Sequence, residues 1–548
     1  MTEKSTQAVR VRELAVPVDE ASEPDEALRK IAASKLGVAD SALSPVKIVR
    51  RALDARHRAL RYVYTVEIEL ENDIAERLIR AGRAEAVRRV EQYRHVLPSI
   101  PDGPQPVVVG AGPAGLFAAL TLVKSGWAPL IIERGRSVDE RGRDVSNLYA
   151  RGILDPESNV CFGEGGAGAY SDGKLYTRVN DPRVERVMEE LVLMGANPDI
   201  RVDHRPHLGT DRLVALLRNM RAHLIERGAI FRFSTAVDKF VIESGKLEAL
   251  VLRDGERIAV GPVVLSTGHS SREIWSRLLE AGLPLETRPF AVGFRVEHPQ
   301  TLINRLRYGV VANKGILPAA DYRLTFNEKG GSGRGVYSFC MCPGGVVVPT
   351  PTLQGELCVN GMSHASRAGK FANSALVVTV TPEDYHQAGY DGPLAGVDFQ
   401  KAIERKAFAA GGGGFVAPAM RFADYFAGKA SSDLPQSTYR RGLLPAKLDE
   451  LYPEDVNTSL RRAIASFDSK MHGFLTDDAV LIGVETRTSS PVRVPRDDTM
   501  QATGATGLYP AGEGVGYGGG IVSSAVDGMR AAEAILESAG AVRHVLPT

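Results

Sequence analysis

Cysteine is scarce, four in 548 residues, which excludes a disulfide framework. The opening stretch MTEKSTQAVRVREL lacks the apolar core of a secretory signal. No run of about 18 apolar residues occurs, so no span across a bilayer and no membrane partner are expected. A reducing cytoplasm is the expected compartment. Charge of one sign is lacking too: Lys+Arg 67 against Asp+Glu 66 leaves a formal +1. No global field therefore argues for nucleic acid or a membrane surface, and a charged substrate must be met locally. No His, Cys or carboxylate spacing suggests a metal, and neither an internal repeat nor a low-complexity tract is present. What is abundant is glycine, 56 residues, in a composition otherwise ordinary at 44% hydrophobic and 24% charged. The length exceeds what one core usually supports, so about two or three structural units are expected.

Residues 1–97 read as a small α+β unit: strand 9–17, helix 25–36 behind Pro24, strands 46–53 and 62–70, helix 73–90. The stretch 97–106 holds four prolines, which neither a helix nor an interior strand tolerates. A linker at 98–105 follows, and a new domain opens at 106. There a short apolar strand, 107–109, leads through a Gly-rich turn into a helix at 114–125 and a second strand at 129–133. Short strands at 231–233, 237–242, 247–252 and 256–260, punctuated by Ser244-Gly245 and Asp254-Gly255, read as a β-meander returning the chain to the first sheet at the apolar strand 263–265. Mixed periodicities place an inserted α+β substrate domain at 289–478. The first domain resumes at 479–548, with a strand, a Gly-rich turn and a helix over 508–536.

The turn Gly110-Ala111-Gly112-Pro113-Ala114-Gly115 sits between strand and helix, the context of a phosphate cradle. Gly110 permits the tight turn, Gly112 lets the backbone approach a pyrophosphate, and Gly115 lets the helix pack close to the sheet. Glu133, at the end of the second strand, is placed to accept hydrogen bonds from a ribose. The pattern is that of a Rossmann-type α/β fold holding NAD or FAD; a Gly-rich turn without a nucleotide is the bland alternative.

A second motif, Leu508-Tyr509-Pro510-Ala511-Gly512-Glu513-Gly514, followed by Gly516 to Gly520 and a helix from Ile521, resembles the FAD-dependent oxidoreductase superfamily of the glutathione-reductase type. That resemblance puts flavin ribityl and pyrophosphate contacts on Gly512 and Glu513, beside Gly520 and Ile521. Leu265-Ser266-Thr267-Gly268 is similar to the superfamily's Ala-Thr-Gly segment, which implicates Thr267 and Gly268. The stretch from Ser158 to Leu175, with Pro206-His207-Leu208-Gly209-Thr210-Asp211 and Met341-Cys342-Pro343-Gly344-Gly345, is similar to a family of bacterial and plastid proteins described as uncharacterised FAD-dependent dehydrogenases. The resemblance covers about residues 9–540. It implies a fold and the cofactor FAD, and no substrate.

The run Gly163 to Gly168 reads either as a backbone wall toward the isoalloxazine or substrate, with Gly165 and Gly166 as contacts, or as a packed crossover loop. Of Arg134, Arg136, Arg141 and Arg143, one is expected to neutralise FAD phosphates, with Arg134 the choice, and the others to be surface charge. Candidate cofactor contacts are thus Gly110, Gly112, Pro113, Ala114, Gly115, Glu133, Arg134, Gly165, Gly166, Thr267, Gly268, Gly512, Glu513, Gly520 and Ile521. Lys174 is either a flavin or anion contact or a solvated charge. His204, His207, His269, His298, His364 and His472 offer general acid/base groups; His207 and His269 lie nearest the motifs, so Lys174, His207 and His269 are the catalytic candidates. The Cys-x4-Cys of the superfamily's dithiol enzymes is missing. Cys340-Met341-Cys342 is a CxC, open to a redox or a structural reading, and Cys161 stands alone.

A second dinucleotide fingerprint is missing as well. Gly330-Gly331-Ser332-Gly333-Arg334-Gly335 has the glycines but follows Asn327-Glu328-Lys329 and enters a strand at 336–339, so the context fails. NAD(P)H, as donor, would dock transiently at the flavin face. Lys47, Arg50, Arg51, Arg56, Arg58 and Arg61 cluster in the N-terminal unit, but nearby acids balance them and no aromatic platform accompanies them. A docking or lid module is favoured over nucleic-acid binding. The expected function is an FAD-dependent oxidoreductase, a dehydrogenase or reductase exchanging a hydride with a small-molecule substrate. A flavin monooxygenase and a flavin-bound, non-catalytic interaction protein acting through the N-terminal unit are the alternatives.

Overall fold

The computed structural model describes residues 5–21, 24–56, 60–87, 93–327 and 333–545. Arg58, the end of the expected helix at 88–90, and residues 328–332 of the glycine run lie outside the described residues.

The first domain is built on five parallel strands in the spatial order Leu508–Pro510, Val263–Leu265, Val107–Val109, Leu130–Ile132, Ile230–Arg232. Four of them are three-residue apolar runs buried throughout, as a parallel sheet covered on both faces requires. In chain order the sequence of strands reverses between Val107–Val109 and Val263–Leu265. The loops leaving these two strands diverge there and open a crevice at the carboxyl edge of the sheet, where ligands of such folds bind.

One face is covered by the helices Pro113–Lys124, Thr210–Glu226 and Ile521–Ser538. The other carries the meander Val237–Glu243, Lys246–Leu252, Arg257–Ala259 and the helix Arg272–Glu280. The expected strand at 231–233 is not part of that meander. Ile230–Arg232 joins the parallel sheet as its outer strand, and Ser234, at φ +52, turns the chain away before the meander starts.

The inserted domain carries a seven-stranded sheet in the order Thr325–Asn327, Gly335–Cys342, Phe371–Val380, Phe290–Pro299, Val480–Glu485, Ala417–Arg421, Leu443–Pro445. This sheet reaches past residue 478: Val480–Glu485 is buried along its whole length and pairs with Phe290–Pro299. The chain leaves and re-enters through a two-stranded ribbon, Glu286–Thr287 against Val492–Arg493.

The N-terminal unit is a four-stranded antiparallel sheet, Lys47–Asp54, Arg61–Glu71, Thr6–Pro17, Glu85–Ala86, backed by the helices Pro24–Leu36 and Asn72–Arg80. The helix expected over 73–90 stops at Arg80, because Gly82 adopts φ +68 and closes it, freeing Glu85–Ala86 to pair with Val9 and Arg10. Among the described residues, no helix is long and apolar enough to cross a membrane.

The helices Pro113–Lys124 and Ile521–Ser538 approach so closely that a Cβ on Gly528 would lie 1.9 Å from the Ala114 carbonyl oxygen. Gly528→Ala is therefore expected to lower stability by about 1–3 kcal/mol through overpacking, despite alanine's better helix propensity. Gly519→Ala, with nothing within 4 Å of its Cβ, should be near neutral. Equal denaturation midpoints for the two variants would contradict this packing.

Candidate functional site

A cavity of about 2070 Å³ opens at the crevice between the parallel sheet, the inserted sheet and the N-terminal unit. Its lining includes Gly110, Gly112, Pro113, Ala114, Glu133, Arg134, Gly166, Thr267, Gly268, Gly512, Glu513, Gly520 and Ile521. Gly115 and Gly165 lie behind this lining and act through packing.

At Gly110, φ is +103 and a Cβ would sit 2.5 Å from the Ser266 carbonyl oxygen. A Cβ on Gly115 would fall 1.9 Å from the Gly110 carbonyl oxygen, so helix and strand are in backbone contact. Gly112 differs: it is extended, and its Cβ would meet nothing closer than Gly166 Cα at 3.9 Å. The space it leaves belongs to the cavity. The helix starting at Pro113 has no side-chain cap, nor has the helix starting at Ile521 behind Gly520. Two helix N-termini thus open on one cavity, the arrangement that suits a phosphate-bearing ligand.

Glu133 is buried and holds this cradle together. Its Oε2 accepts from the Ala111 N–H at 2.8 Å; its Oε1 accepts from Gly135 at 2.9 Å and Gly163 at 3.0 Å. One lone pair on Oε2 is left for a further donor.

None of the four arginines after it is placed as a free phosphate counter-charge. Arg134 pairs with Glu157 at 2.9 Å and with Glu273, and lies 3.9 Å over the Phe162 ring, so its charge is matched and its plane forms cavity wall. Arg136 is exposed and pairs with Asp144 at 2.7 Å, and Arg143 is exposed. Arg141 is not surface charge. It is fully buried and donates to the carbonyls of Asn159, Val160, Glu164 and Gly166 at 2.7–2.8 Å, fixing the glycine loop from behind.

At the far end, Lys174 is mostly buried and pairs with Asp172 at 2.8 Å. Its Nζ lies 3.9 Å from Cys342 Sγ and 4.0 Å from Cys340 Sγ. Burial works against the ammonium, but the two sulfurs and Asp172 outweigh it and hold Lys174 protonated. Burial also works against the Asp172 carboxylate, yet Lys174 and Arg367 bring it down to about 2. Glu513 is the opposite case: burial, with Cys340 next in weight, pushes it up to about 8, so it carries its proton at neutral pH.

His269 lines the cavity and is pushed down to about 4 by burial and by Arg487 and Arg272; it is a neutral imidazole, with Nδ1 3.0 Å from Ser270 Oγ. His207 stands behind the lining, its Nε2 3.1 Å from the Ala365 carbonyl oxygen, and burial lowers it too. His298 is a core residue donating to the Phe474 carbonyl at 2.8 Å. Among the described residues no group of three or more His, Cys, Asp or Glu could hold a metal.

Two buried arginines, one in the inserted sheet and one just past its strand Val480–Glu485, escaped the sequence reading. Arg295 is fully buried; it pairs with Glu485 at 2.6 Å and donates to the Cys340 carbonyl at 2.6 Å. Arg487 lines the cavity and shares Glu404 with Arg272, at 2.6 Å and 2.7 Å. The available signal was a charge inside an apolar strand, as in Phe290-Ala291-Val292-Gly293-Phe294-Arg295-Val296.

Residues 289–488 match the family described as "FAD-dependent protein, C-terminal domain-like", and residues 8–69 match a domain of unknown function. The chain is 40% identical over 536 residues to an "Uncharacterized protein" of Clostridium beijerinckii, covering 97% of this chain and 99% of that one. Solved structures with remote likeness include a geranylgeranyl bacteriochlorophyll reductase-like protein of Thermoplasma acidophilum, 13% identical, with 79% of this chain and 78% of that one covered and a TM-score of 0.35. Another is the glycerol-3-phosphate dehydrogenase of Bacillus halodurans complexed with FAD, 10% identical, with 81% and 66% covered and a TM-score of 0.36. At these values neither likeness bears on the activity of this chain.

Glu133→Ala strands three buried N–H groups at roughly 1–3 kcal/mol each. It is expected to lower the melting temperature as well as nucleotide affinity. Weakened affinity with unchanged melting would mean that Glu133 serves the ligand alone. Glu513 gives a pH test. The unfolded chain releases its proton near the ordinary 4.5, the folded chain near 8, so its contribution is present at low pH and lost as pH rises through that window. Glu513→Gln should gain stability relative to wild type between about pH 5 and pH 8, read as urea midpoints; a constant gap across that window would refute the assignment.

Proposed function

We propose, for a chain that belongs to the family of the uncharacterized Clostridium beijerinckii protein, that it is an FAD-dependent oxidoreductase exchanging a hydride with an organic substrate held between the parallel-sheet domain and the inserted domain. One observation carries the reading: a single cavity runs from the Gly110 to Gly115 cradle to the side chains of Lys174, Cys340 and Arg487. Gly112 and the N–H groups behind Pro113 would hold the pyrophosphate, Oε2 of Glu133 the ribose, and Gly512, Glu513 and Gly520 the flavin end. When bound, the flavin supplies two-electron hydride chemistry, and the protein supplies orientation and electrostatics.

The chain's own groups bias what enters. Lys174 stays cationic and shares the one carboxylate of Asp172 with Arg367, which leaves a positive charge to be met at the cavity by an anionic group, whereas Arg487 is already matched by Glu404. Protonated Glu513 is a hydrogen-bond donor at neutral pH, and neutral His269 offers the cavity one hydrogen-bond donor and one acceptor. The inserted domain rests on a mainly antiparallel sheet and not on a second parallel one. A nicotinamide donor, where one is used, would therefore enter this same cavity.

Gly112→Val should abolish flavin retention, since its side chain fills the space kept for the pyrophosphate, while the fold survives. Purified variant still carrying stoichiometric FAD would overturn the cradle assignment. For the wild-type protein, anaerobic mixing with NADH, NADPH and other donors should bleach the flavin absorbance, and an oxidised organic acceptor should restore it. Oxygen uptake matched by substrate hydroxylation would replace the dehydrogenase reading with a monooxygenase.

A further inference from the structure

The reading above gives the two cysteines of the inserted sheet no chemical role, yet their surroundings are unlike those of structural thiols. The strand Gly335–Cys342 loses register with its neighbour between Phe339 and Cys342. At that point Cys340 adopts φ +44, a left-handed conformation that a side-chain-bearing residue rarely takes. In a regular strand residues 340 and 342 would stand side by side along one face, separated by two residue rises. The kink instead folds Cys342 back, so that its Sγ lies 3.2 Å from the Cys340 carbonyl oxygen.

Both sulfurs are then placed against cations. Lys174 Nζ is 4.0 Å from Cys340 Sγ and 3.9 Å from Cys342 Sγ, and Arg295 Nη2 is 3.7 Å from Cys342 Sγ. Cys340 lines the cavity together with Glu513, on the turn where the flavin end would lie; Cys342 is buried behind it.

We propose that Cys340 and Cys342 form a redox-active dithiol, with Cys340 the cavity-lining, attacking sulfur and Cys342 the resolving one, exchanging two electrons with the flavin. The choice of electron acceptor rests on the flavin reading above; the reactivity of the thiols does not. Closing the bond between the two Sγ atoms removes both thiol hydrogens as two protons and two electrons. A bound, oxidised flavin would supply the acceptor for that electron pair and those protons, and the reverse transfer would reopen the disulfide. The cations make the attacking form available. The hydrogen bond from the Cys342 thiol lowers Cys340 well below an ordinary thiol, with burial opposing and Lys174 and Arg295 assisting, while Cys342 is raised. Asp172 and Tyr176 face the pair from the loop that carries Lys174; Arg295, Tyr322 and Glu485 face it from the neighbouring strands and loop, and Glu513 from the C-terminal turn.

The test uses full-length protein as purified. Alkylation by iodoacetamide, followed by peptide mass spectrometry from acid to alkaline pH, should label Cys340 first, with a midpoint below that of a free thiol. Lys174→Met should move that midpoint up and slow labelling at neutral pH about tenfold for each pKa unit gained. Mild oxidation should link Cys340 to Cys342 within one chain, a bond that neither Cys340→Ser nor Cys342→Ser can form. In anaerobic reductive titration the oxidised wild type should take up twice the reducing equivalents per flavin of either Ser variant. A Cys340 that labels only at alkaline pH, or no internal disulfide on oxidation, would overturn the dithiol. Equal uptake by wild type and both variants would overturn the electron exchange. If the protein held no flavin the first reading would fail, and labelling and disulfide formation would still decide the thiol pair.

Discussion

One buried carboxylate organises the end of the cavity beside the glycine turn. Glu133 gathers N–H groups from three places: Ala111 in the cradle, Gly135 just beyond its own strand, and Gly163 across the crossover loop. Burying a carboxylate is costly unless its charge is met, and three backbone donors meet it. Arg141 does the reverse from the other side, collecting four carbonyls of the same loop. The segment from Asn159 to Gly166 therefore needs no regular secondary structure to be buried: Arg141 takes four of its carbonyls, Glu133 takes the Gly163 N–H, and the Asn159 side chain and nearby backbone carbonyls take the N–H groups of Cys161, Phe162, Glu164, Gly165 and Gly166. The glycines follow from this. A Cβ on Gly135 would lie 2.5 Å from the Gly163 nitrogen, and one on Gly163 2.5 Å from the Arg141 side chain.

The same economy governs the opposite wall. The chain has almost no net charge, so its cavity draws on local pairs: Arg295 with Glu485, and Arg272 and Arg487 around Glu404. Each links segments far apart in sequence, and each fixes a cation whose partner cannot move without leaving a bare buried charge. Such pairs contribute little net stability, but they lock the orientation of groups that meet a ligand. Arg295 shows the consequence, since the guanidinium neutralised by Glu485 also positions the Cys340 carbonyl.

What the sequence disclosed and what it hid follow from the range of the interactions. The glycine turn at 110–115, its strand and helix, and the strands at 263–265 and 508–510 were legible because a short apolar run beside a glycine turn is a strong local pattern. The helix after Asn72 was read too long because its polar continuation keeps helical composition while Gly82 ends it. Ile230–Arg232 was assigned to the meander because an edge strand exposes one side and looks antiparallel. Arg141 read as surface charge because its four partners are main-chain carbonyls, which no side-chain pattern announces. The CxC was visible as a spacing; its kink and its lysine were not, since Lys174 lies 166 residues from Cys340.

The cavity's two walls are held in register by the way the insertion is attached. The outgoing strand Glu286–Thr287 and the returning strand Val492–Arg493 pair with each other, the Arg288 N–H donates to the Pro491 carbonyl at 2.8 Å, and the Arg288 side chain donates to the Gly516 carbonyl. Both crossings are therefore tied to the C-terminal turn that carries Gly512 and Glu513. A domain hung on a single linker could drift relative to a ligand in the cradle, whereas one anchored twice at the same point has little freedom to do so. Further constraint comes from the N-terminal unit, where Arg51 exchanges backbone hydrogen bonds with Val202 and His204 at 2.7 Å and 2.8 Å and pairs with Asp203 at the cavity rim. Lys174, Cys340 and Glu513 thus reach one small volume from three distant stretches of chain, and the fold gives them no independent way to leave it.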